Sequence, residues 1–520
     1  MASDDARRVA PGRTTPSAPG GADAAERLTG AQWRTIVLAS LGGALEFYDF
    51  IIYGVFAPSI AATFFPSSDP LAGLVLTYSV FAGGYLARPL GGLLLGALGD
   101  RFGRRSVFLV SLGAISASTV AMGLLPGYAT WGFGATLLMV ALRLVQGLCL
   151  GGELPGSIVY AVETAPRRGG FACGVLFFCV NSGVSLAALV SLAINTLMPP
   201  EAAASNGWRI AFIIGGLTGL GSFAIRRRLQ ESAEFEALRG TASRNPVRDL
   251  FRAYPVPLFL GIGTSAATAV FNGMMFAYLP GYLVRVLHYA PSEASLAQNV
   301  GLATTSVGLL AVAWIGDRMP RRYLLGAGAA LLVGFATPFF QALADRSIGL
   351  VPLFVLAGLA AALFNGTFAV VLADLFPTRV RFSGVAVSYN ISQTLFGGTV
   401  PLIAAELVLV TGRATSPALV VVTCAALAVA ASFGLKRYGG RVAVASAQAR
   451  EARKGLDQPE GQALHAARQE GDAGQHQGGA GQLLQQVEMA LEPAQEGREG
   501  AHRHGRQHEG NAQARRIGEE

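Results

Sequence analysis

Polar and apolar positions in this chain alternate on a long scale. After a polar stretch of 32 residues, apolar runs follow one another as far as residue 438, separated by short charged turns. A run of roughly 20 apolar residues is long enough to cross the hydrocarbon core of a bilayer as one helix. The pattern predicts twelve such spans, near 34–62, 71–98, 106–125, 131–162, 170–195, 208–225, 256–284, 294–316, 322–341, 347–373, 382–410 and 415–436. An all-α polytopic membrane protein is therefore expected. The longest interior connection, 226–254, is charged and is expected to carry a short surface helix over Leu229–Leu238. The tails, 1–32 and 439–520, lack apolar periodicity and read as disordered. No cleavable leader is expected, because the first apolar run exceeds a leader's apolar core.

A charged turn organises the chain. Gly96-Ala-Leu-Gly99-Asp100-Arg101-Phe-Gly-Arg104-Arg105 lies between the second and third spans. It returns 217 residues later as Gly316-Asp317-Arg318-Met-Pro-Arg321-Arg322, between the eighth and ninth. A second signature, Glu163-Thr-Ala-Pro-Arg-Arg-Gly, is echoed by Asp374-Leu-Phe-Pro-Thr-Arg-Val-Arg381. Two signatures repeated in one order predict two homologous six-helix halves, 33–225 and 255–438, as in secondary transporters. Gly99, Asp100, Arg101, Arg104, Arg105 and Glu163, with Asp317, Arg318, Arg321, Arg322 and Asp374, are expected to form a gate. Its ion pairs would close in one conformation and release in another.

Charge sharpens the picture. Only 14% of residues are charged, against about a quarter in a soluble protein. The mean hydropathy is +0.45. The net charge of +8 comes from arginines in short turns and tails. It reads as membrane topology rather than nucleic-acid binding, with both termini cytoplasmic. Cys149, Cys173, Cys179 and Cys424 sit in apolar segments without metal spacing. Five histidines, His465, His476, His502, His504 and His508, fall in the C-terminal tail without ligand spacing. Neither a metal nor a cofactor is expected. No nucleophile–base pair or phosphate loop points to an enzyme.

A few polar groups lie deep in the spans. Glu46, Asp49 and Tyr53 share one face of the first helix. Arg88 lies 12 residues before Asp100, about 18 Å along the helix. Arg143 and Glu153 lie in the fourth span. Charges this deep are expensive and need partners. Counting Glu46, Asp49 and Glu153 against Arg88 and Arg143 leaves one acid over, and an uncompensated buried acid suits proton exchange. Glu46, Asp49, Arg143 and Glu153 are thus proton-coupling candidates; the competing reading is static pairs that lock helices together. The second half offers amides instead. Asn272, Asn365 and Gln393, with Asn181 of the first half, join Tyr53, Arg88 and Arg143 as substrate-binding candidates.

These motifs resemble the major facilitator superfamily over about residues 32–438, and within it the metabolite:proton symporters. The Gly96–Arg105 turn and the Arg143–Gly147 segment carry the first likeness. The second rests on Glu46–Gly54, Gly84–Gly91, Gly151-Gly-Glu153, Tyr278–Leu283, Leu375–Arg381 and Phe396–Pro401. The resemblance implies a role in proton coupling for Arg143, and import of a di- or tricarboxylate, 2-oxoglutarate, shikimate, proline or betaine. The second turn departs from the pattern, with Pro320 where a glycine is expected.

The expectation is a proton-coupled symporter that imports a small organic acid across a bacterial inner membrane by alternating access. Its partners would be the organic anion, protons and lipid, with no nucleic acid, and the chain would act as a monomer. A proline/betaine symporter, a proton-driven drug exporter and a non-transporting sensor remain open alternatives.

Overall fold

In a computed structural model, residues 28–66, 70–227 and 246–438 are described. The expected surface helix at Leu229–Leu238, residues 1–27 and the C-terminal tail with its five histidines lie outside them, whereas residues 30–32, read from the sequence as tail, begin the first helix behind a Thr29–Gln32 capping box. Within the described residues the secondary structure is entirely helical. Twelve helices are long and apolar enough to cross a membrane. In order they are α1 (Gly30–Val55), α2 (Val75–Phe102), α3 (Arg104–Leu124), α4 (Phe133–Thr164), α5 (Gly169–Leu197) and α6 (Pro200–Arg226). Then follow α7 (Pro255–Arg285), α8 (Pro291–Gly316), α9 (Arg321–Asp345), α10 (Leu350–Asp374), α11 (Thr378–Thr411) and α12 (Ala418–Lys436).

The expected boundaries fail where local chemistry intervenes. The first run breaks at Phe56 and resumes as Ala57–Phe64, because Pro58 suits only a first turn. α6 starts before residue 208, since Ala203-Ala-Ser-Asn-Gly207 takes a π-helical turn rather than a loop. A helix at Pro246–Ala253 falls in a stretch read as connection; it buries Pro246 and Leu250.

Two bundles pack through a pseudo-twofold pattern. Within the first, α2 packs on α4, α1 on α5 and α3 on α6; within the second, α8 packs on α10 and α9 on α12. Between them, α2 meets α11 and α8 meets α5, the same contact under a six-helix shift. Glycine makes the α2–α4 contact a backbone contact. A Cβ on Gly147 would strike the Gly84 backbone, and one on Gly151 would strike Arg88 and Gly91. Arg88 and Arg143 are thus held by two helices that cannot drift apart.

One ion pair pins four helices of the first bundle. Arg226, read from the sequence as the first residue of the charged 226–254 connection, is fully buried at the end of α6. Its Nη1 donates to Glu153 Oε1 at 2.7 Å, and Ser111 Oγ donates to Glu153 Oε2 at 3.0 Å. Arg226 also donates to the carbonyls of Leu38 and Ala39 and lies 4.2 Å from the Phe108 ring centroid. Glu153 therefore sits in a satisfied structural pair, and the surplus acid counted from the sequence has its base.

Removing one partner of a buried pair strands the other. Arg226→Leu is expected to cost about 3–5 kcal/mol of stability. The check is thermal unfolding of the detergent-solubilised protein, with Glu153→Leu/Arg226→Leu recovering most of the loss.

Candidate functional site

Three polar assemblies occupy the structure. The first is a hydrogen-bonded cluster inside the first bundle. Asp49 on α1 is buried. Its Oδ2 accepts from Thr119 Oγ1 on α3 and from Gln146 Nε2 on α4, the latter at 3.2 Å. Gln146 Nε2 also donates to Thr119 Oγ1 at 2.7 Å, while Gln146 Oε1 accepts from Arg143 Nη1. The cluster thus links Asp49 to Arg143 through an amide, and no direct ion pair joins them among the described residues.

Arg143 is held from the other side by rings. Its guanidinium lies 3.8 Å from the Tyr53 ring centroid, and Tyr53 stacks on Phe81 at 5.7 Å. Tyr53 is fully buried, and its hydroxyl donates to the Thr77 carbonyl at 3.1 Å. It therefore supports Arg143 rather than presenting a hydroxyl to a ligand. Arg143 Nε and Nη2, and Asp49 Oδ1, are buried without a hydrogen-bond partner among the described residues. Arg88 is buried nearby, 5.1 Å from the Tyr85 ring centroid. Glu46 lies on α1, with its side chain outside the described set.

The second assembly is a small cavity between the bundles. Asn181, Asn272 and Asn365 line it together, as expected substrate amides would, with Thr268 and Thr305. Four phenyl rings, Phe47, Phe177, Phe271 and Phe276, complete much of the wall. Neither arginine, nor Gln393, is among the lining residues. Gln393 instead opens a π-helical turn in α11, Gln393–Gly398, that faces the π-helical turn of α7, Gly273–Tyr278. The Asn181 amide donates across the interface to Ser306 Oγ at 2.8 Å.

The third assembly interlocks the two bundles at the face carrying the basic turns. Asp100 accepts from the backbone N–H groups of Phe382 and Ser383, at 3.1 and 2.8 Å. Asp317 accepts from those of Gly170 and Phe171, at 2.8 and 2.9 Å. Each carboxylate thereby caps the N-terminus of a helix in the opposite bundle, α11 or α5, where unpaired amides and the helix dipole favour an anion. Arginines brace both caps. Arg104 pairs with Glu163 and donates to the Thr378 carbonyl at 2.7 Å. Arg381 reaches the same Glu163 at 2.7 Å. Arg321 pairs with Asp317 at 2.9 Å and Asp374 at 2.6 Å.

Local geometry explains this placement. Gly103 holds φ at 105°, which turns the chain within one residue so that Asp100 stays in the last turn of α2. The second turn is longer and starts its helix at Pro320, yet Asp317 still reaches its cap. Gly99 leaves room for the Phe382 ring. Arg101 and Arg318 lie outside the interlock, stacked on Phe102 and Trp314. Arg105 donates to the Arg227 carbonyl, and Arg322 donates to the Tyr323 hydroxyl.

One further bond crosses the interface deeper in the helices. Pro155 has no N–H to donate to Gly151, four residues earlier in α4. The Gly151 carbonyl accepts instead from Asn390 Nδ2 of α11 at 2.7 Å. Gly92 on α2 leaves space for that amide.

Twelve apolar helices in two like bundles, a polar cavity between them and an interlocked face define a membrane carrier. The chain belongs to the Major Facilitator Superfamily, whose sequence pattern matches residues 39–401. It is 33% identical to the citrate-proton symporter of Klebsiella pneumoniae over 391 residues, 75% of this chain and 88% of that one. It is 31% identical to the proline/betaine transporter of Salmonella typhimurium over 427 residues, 78% and 84% of the two chains. Among solved structures, the proton:xylose symporter XylE bound to 6-bromo-6-deoxy-D-glucose aligns with a TM-score of 0.68 at 17% identity, covering 79% of this chain and 96% of that one. The human organic anion transporter MFSD10 aligns at 0.55 and 17% identity, covering 78% and 99%. These two show the fold, and the relatives place the chain with the metabolite:proton symporters, as its motifs indicated.

The caps and the Asn390 bond carry a testable consequence for the interlocked state. Asp100→Asn is expected to lose about 1.5–3 kcal/mol of that state, at least tenfold in population. Asn390→Ala, a neutral bond, is expected to lose about 1 kcal/mol. Spin labels on Arg101→Cys and Arg318→Cys, one on each bundle, would report the separation: the long-distance population should rise more in Asp100→Asn than in Asn390→Ala.

Proposed function

We propose that this carrier imports a small carboxylate-bearing metabolite together with protons, and that Arg143 meets the carboxylate. The observation that carries this reading is the buried Arg143 guanidinium, with Nε and Nη2 free of hydrogen bonds among the described residues. Those two N–H groups form an edge that matches a carboxylate. Asp49 is the proton carrier. Its Oδ1 lacks a donor, and its hydrogen-bonded link to Arg143 runs through Gln146. Loading the proton removes one charge of the cluster while the incoming carboxylate replaces it beside Arg143. Either alone leaves the cluster unbalanced, so proton and substrate move together.

On this reading the basic face is cytoplasmic, in a bacterial inner membrane, and the interlock of Asp100, Arg104, Glu163, Asp317, Arg321 and Asp374 closes that side. Each bundle, 33–225 or 255–438, moves as a unit about the central cavity. Release of the two caps and the Asn390 bond opens the inner side.

The substrate class has two readings, each with support. The guanidinium edge fits any carboxylate, a di- or tricarboxylate included. The cavity favours a zwitterionic osmolyte: its lining has amides, hydroxyls and four phenyl rings, and no charged side chain among the described residues. Rings around a quaternary ammonium contribute by cation–π attraction.

Uptake into proteoliposomes discriminates. Labelled citrate, tricarballylate, 2-oxoglutarate, shikimate, proline and betaine would be offered with and without an inward proton gradient. One compound should accumulate with the gradient, and Asp49→Asn should abolish accumulation while equilibrium exchange survives. For a quaternary ammonium, Phe177→Leu or Phe271→Leu should raise KM about three- to tenfold; for citrate the change should be slight. Accumulation of nothing in the panel would overturn the symporter reading.

A further inference from the structure

We infer that Thr119 is the positioning residue that lets Asp49 change its charge inside the apolar bundle. This inference rests on Asp49 being the proton carrier, and goes beyond it by assigning the hydroxyl that serves both protonation states.

The geometry is specific. Thr119 Oγ1 lies within hydrogen-bond reach of three groups: Asp49 Oδ2 on α1, Gln146 Nε2 on α4 at 2.7 Å, and the Ile115 carbonyl of its own helix at 2.8 Å. Thr119, Gln146 and Ile115 are all buried. A hydroxyl has one proton to donate and two lone pairs to accept with. Gln146 occupies one lone pair. The single proton then has two competing acceptors, Asp49 Oδ2 and the Ile115 carbonyl.

The charge on Asp49 decides between them. When Asp49 is ionised, the Thr119 proton points to Oδ2, because a charge-assisted bond is about twice as strong as a neutral one. When a proton arrives on Oδ2, a new O–H bond forms and needs an acceptor. The second Thr119 lone pair takes it, and the Thr119 proton turns to Ile115. The hydroxyl is then fully used, with one bond donated and two accepted. A proton on Oδ1 would find no such partner: Gly215 of α6 packs against that oxygen and has no side chain. Hydroxyl rotation thus replaces what water does for an exposed carboxylate. An unpaired polar group in this interior would otherwise penalise one protonation state.

Among the described residues, the other titratable side chains near Asp49 leave this role to Thr119; Glu46, one turn away on α1, has its side chain outside the described set. Arg143 on α4 acts through Gln146. Tyr48 on α1 donates its hydroxyl to the Ala211 carbonyl at 2.9 Å. Tyr53 donates to the Thr77 carbonyl. On α3, Thr119 donates to the carboxylate, and on α6, Gly215 packs against it; neither titrates.

Infrared difference spectroscopy of the full-length protein in liposomes tests this without a substrate. The carbonyl stretch of a protonated carboxylic acid is followed against pH, and the Asp49 band is the one that Asp49→Asn removes. Thr119→Val deletes a donor to the ionised form and a weaker acceptor for the neutral form. It should move the midpoint of that band upward by about one pH unit, a tenfold change in proton affinity. Thr119→Ser keeps the hydroxyl and should stay within about a third of a unit of wild type. Thr119→Ala, which also lacks the hydroxyl, serves if the valine variant does not fold. A wild-type midpoint in both Thr119→Val and Thr119→Ala, or an equal displacement in Thr119→Ser, overturns the role of Thr119 while Asp49 remains the carrier. Absence of any titrating band that depends on Asp49 overturns the coupling reading, and this inference with it.

Discussion

A charge inside an apolar slab has to find its partner within the protein, and this one constraint arranges most of the structure. Water would solvate a carboxylate on either surface; midway across, only neighbouring helices can. Each buried charge therefore becomes a tie between helices. Glu153 and Arg226 tie α1, α3, α4 and α6 into one body. Asp49 ties α1 to α3 and α4. The difference between the two acids is completeness. Glu153 has a cation and a hydroxyl and is finished structurally; Asp49 has neutral donors on one oxygen and nothing on the other. A tie that is complete holds a bundle together, whereas one that is incomplete has a second state worth visiting.

The same physics runs outward at the interlocked face. Asp100 and Asp317 accept from backbone amides of the opposite bundle, in addition to facing arginines of their own. Amides at a helix start are fixed in direction, so the cap exists in only one relative placement of the bundles. An arginine, long and flexible, would tolerate many. Arg104 and Arg321 brace the carboxylates, and that leaves the caps as the elements that define the closed geometry. Asn390 adds a further tie at depth, where a proline has already freed the carbonyl that receives it.

Much of this was legible in the sequence, for identifiable reasons. Length and apolarity report a span directly, so twelve helices and the two-bundle repeat were readable, although the end of the first span and the start of the sixth were misplaced by seven and eight residues. The interlock was readable because Asp100, Arg104 and Glu163 recur in order as Asp317, Arg321 and Asp374. Asn181, Asn272 and Asn365 were readable as amides beside glycines or within apolar runs, and one cavity gathers them. Arg226 was missed because it is the first of three consecutive arginines, and the sequence does not say that the helix carries it inward. That omission made Glu153 look like a coupling acid. Thr119 and Asn390 were less accessible still. Nothing distinguishes Thr119 from other hydroxyls of its span, since its role exists only once α1, α3 and α4 converge. Tyr53 shares a face with Asp49, as expected, but which way its hydroxyl turns depends on a carbonyl of α2.

The two bundles repeat their gates but not their interiors. Both contribute a cap and a bracing arginine, because both must engage and release in one motion. The buried charge is concentrated in the first bundle; the second supplies hydroxyls and amides, such as Thr268, Asn272 and Asn365, to the cavity. A carrier that couples two species gains from this asymmetry. If both bundles held a titrating cluster, each could load independently, and partial loading would permit leak. On the proposed reading, the proton sits in one bundle and a neutral wall in the other, so the substrate is what brings the two together at the cavity. On the same reading, the charge state of Asp49 reaches the interlocked face through the body that Glu153 and Arg226 hold together. A complete tie and an incomplete one in the same bundle are then, on that reading, complementary: the first makes the body stiff enough for the second to move it.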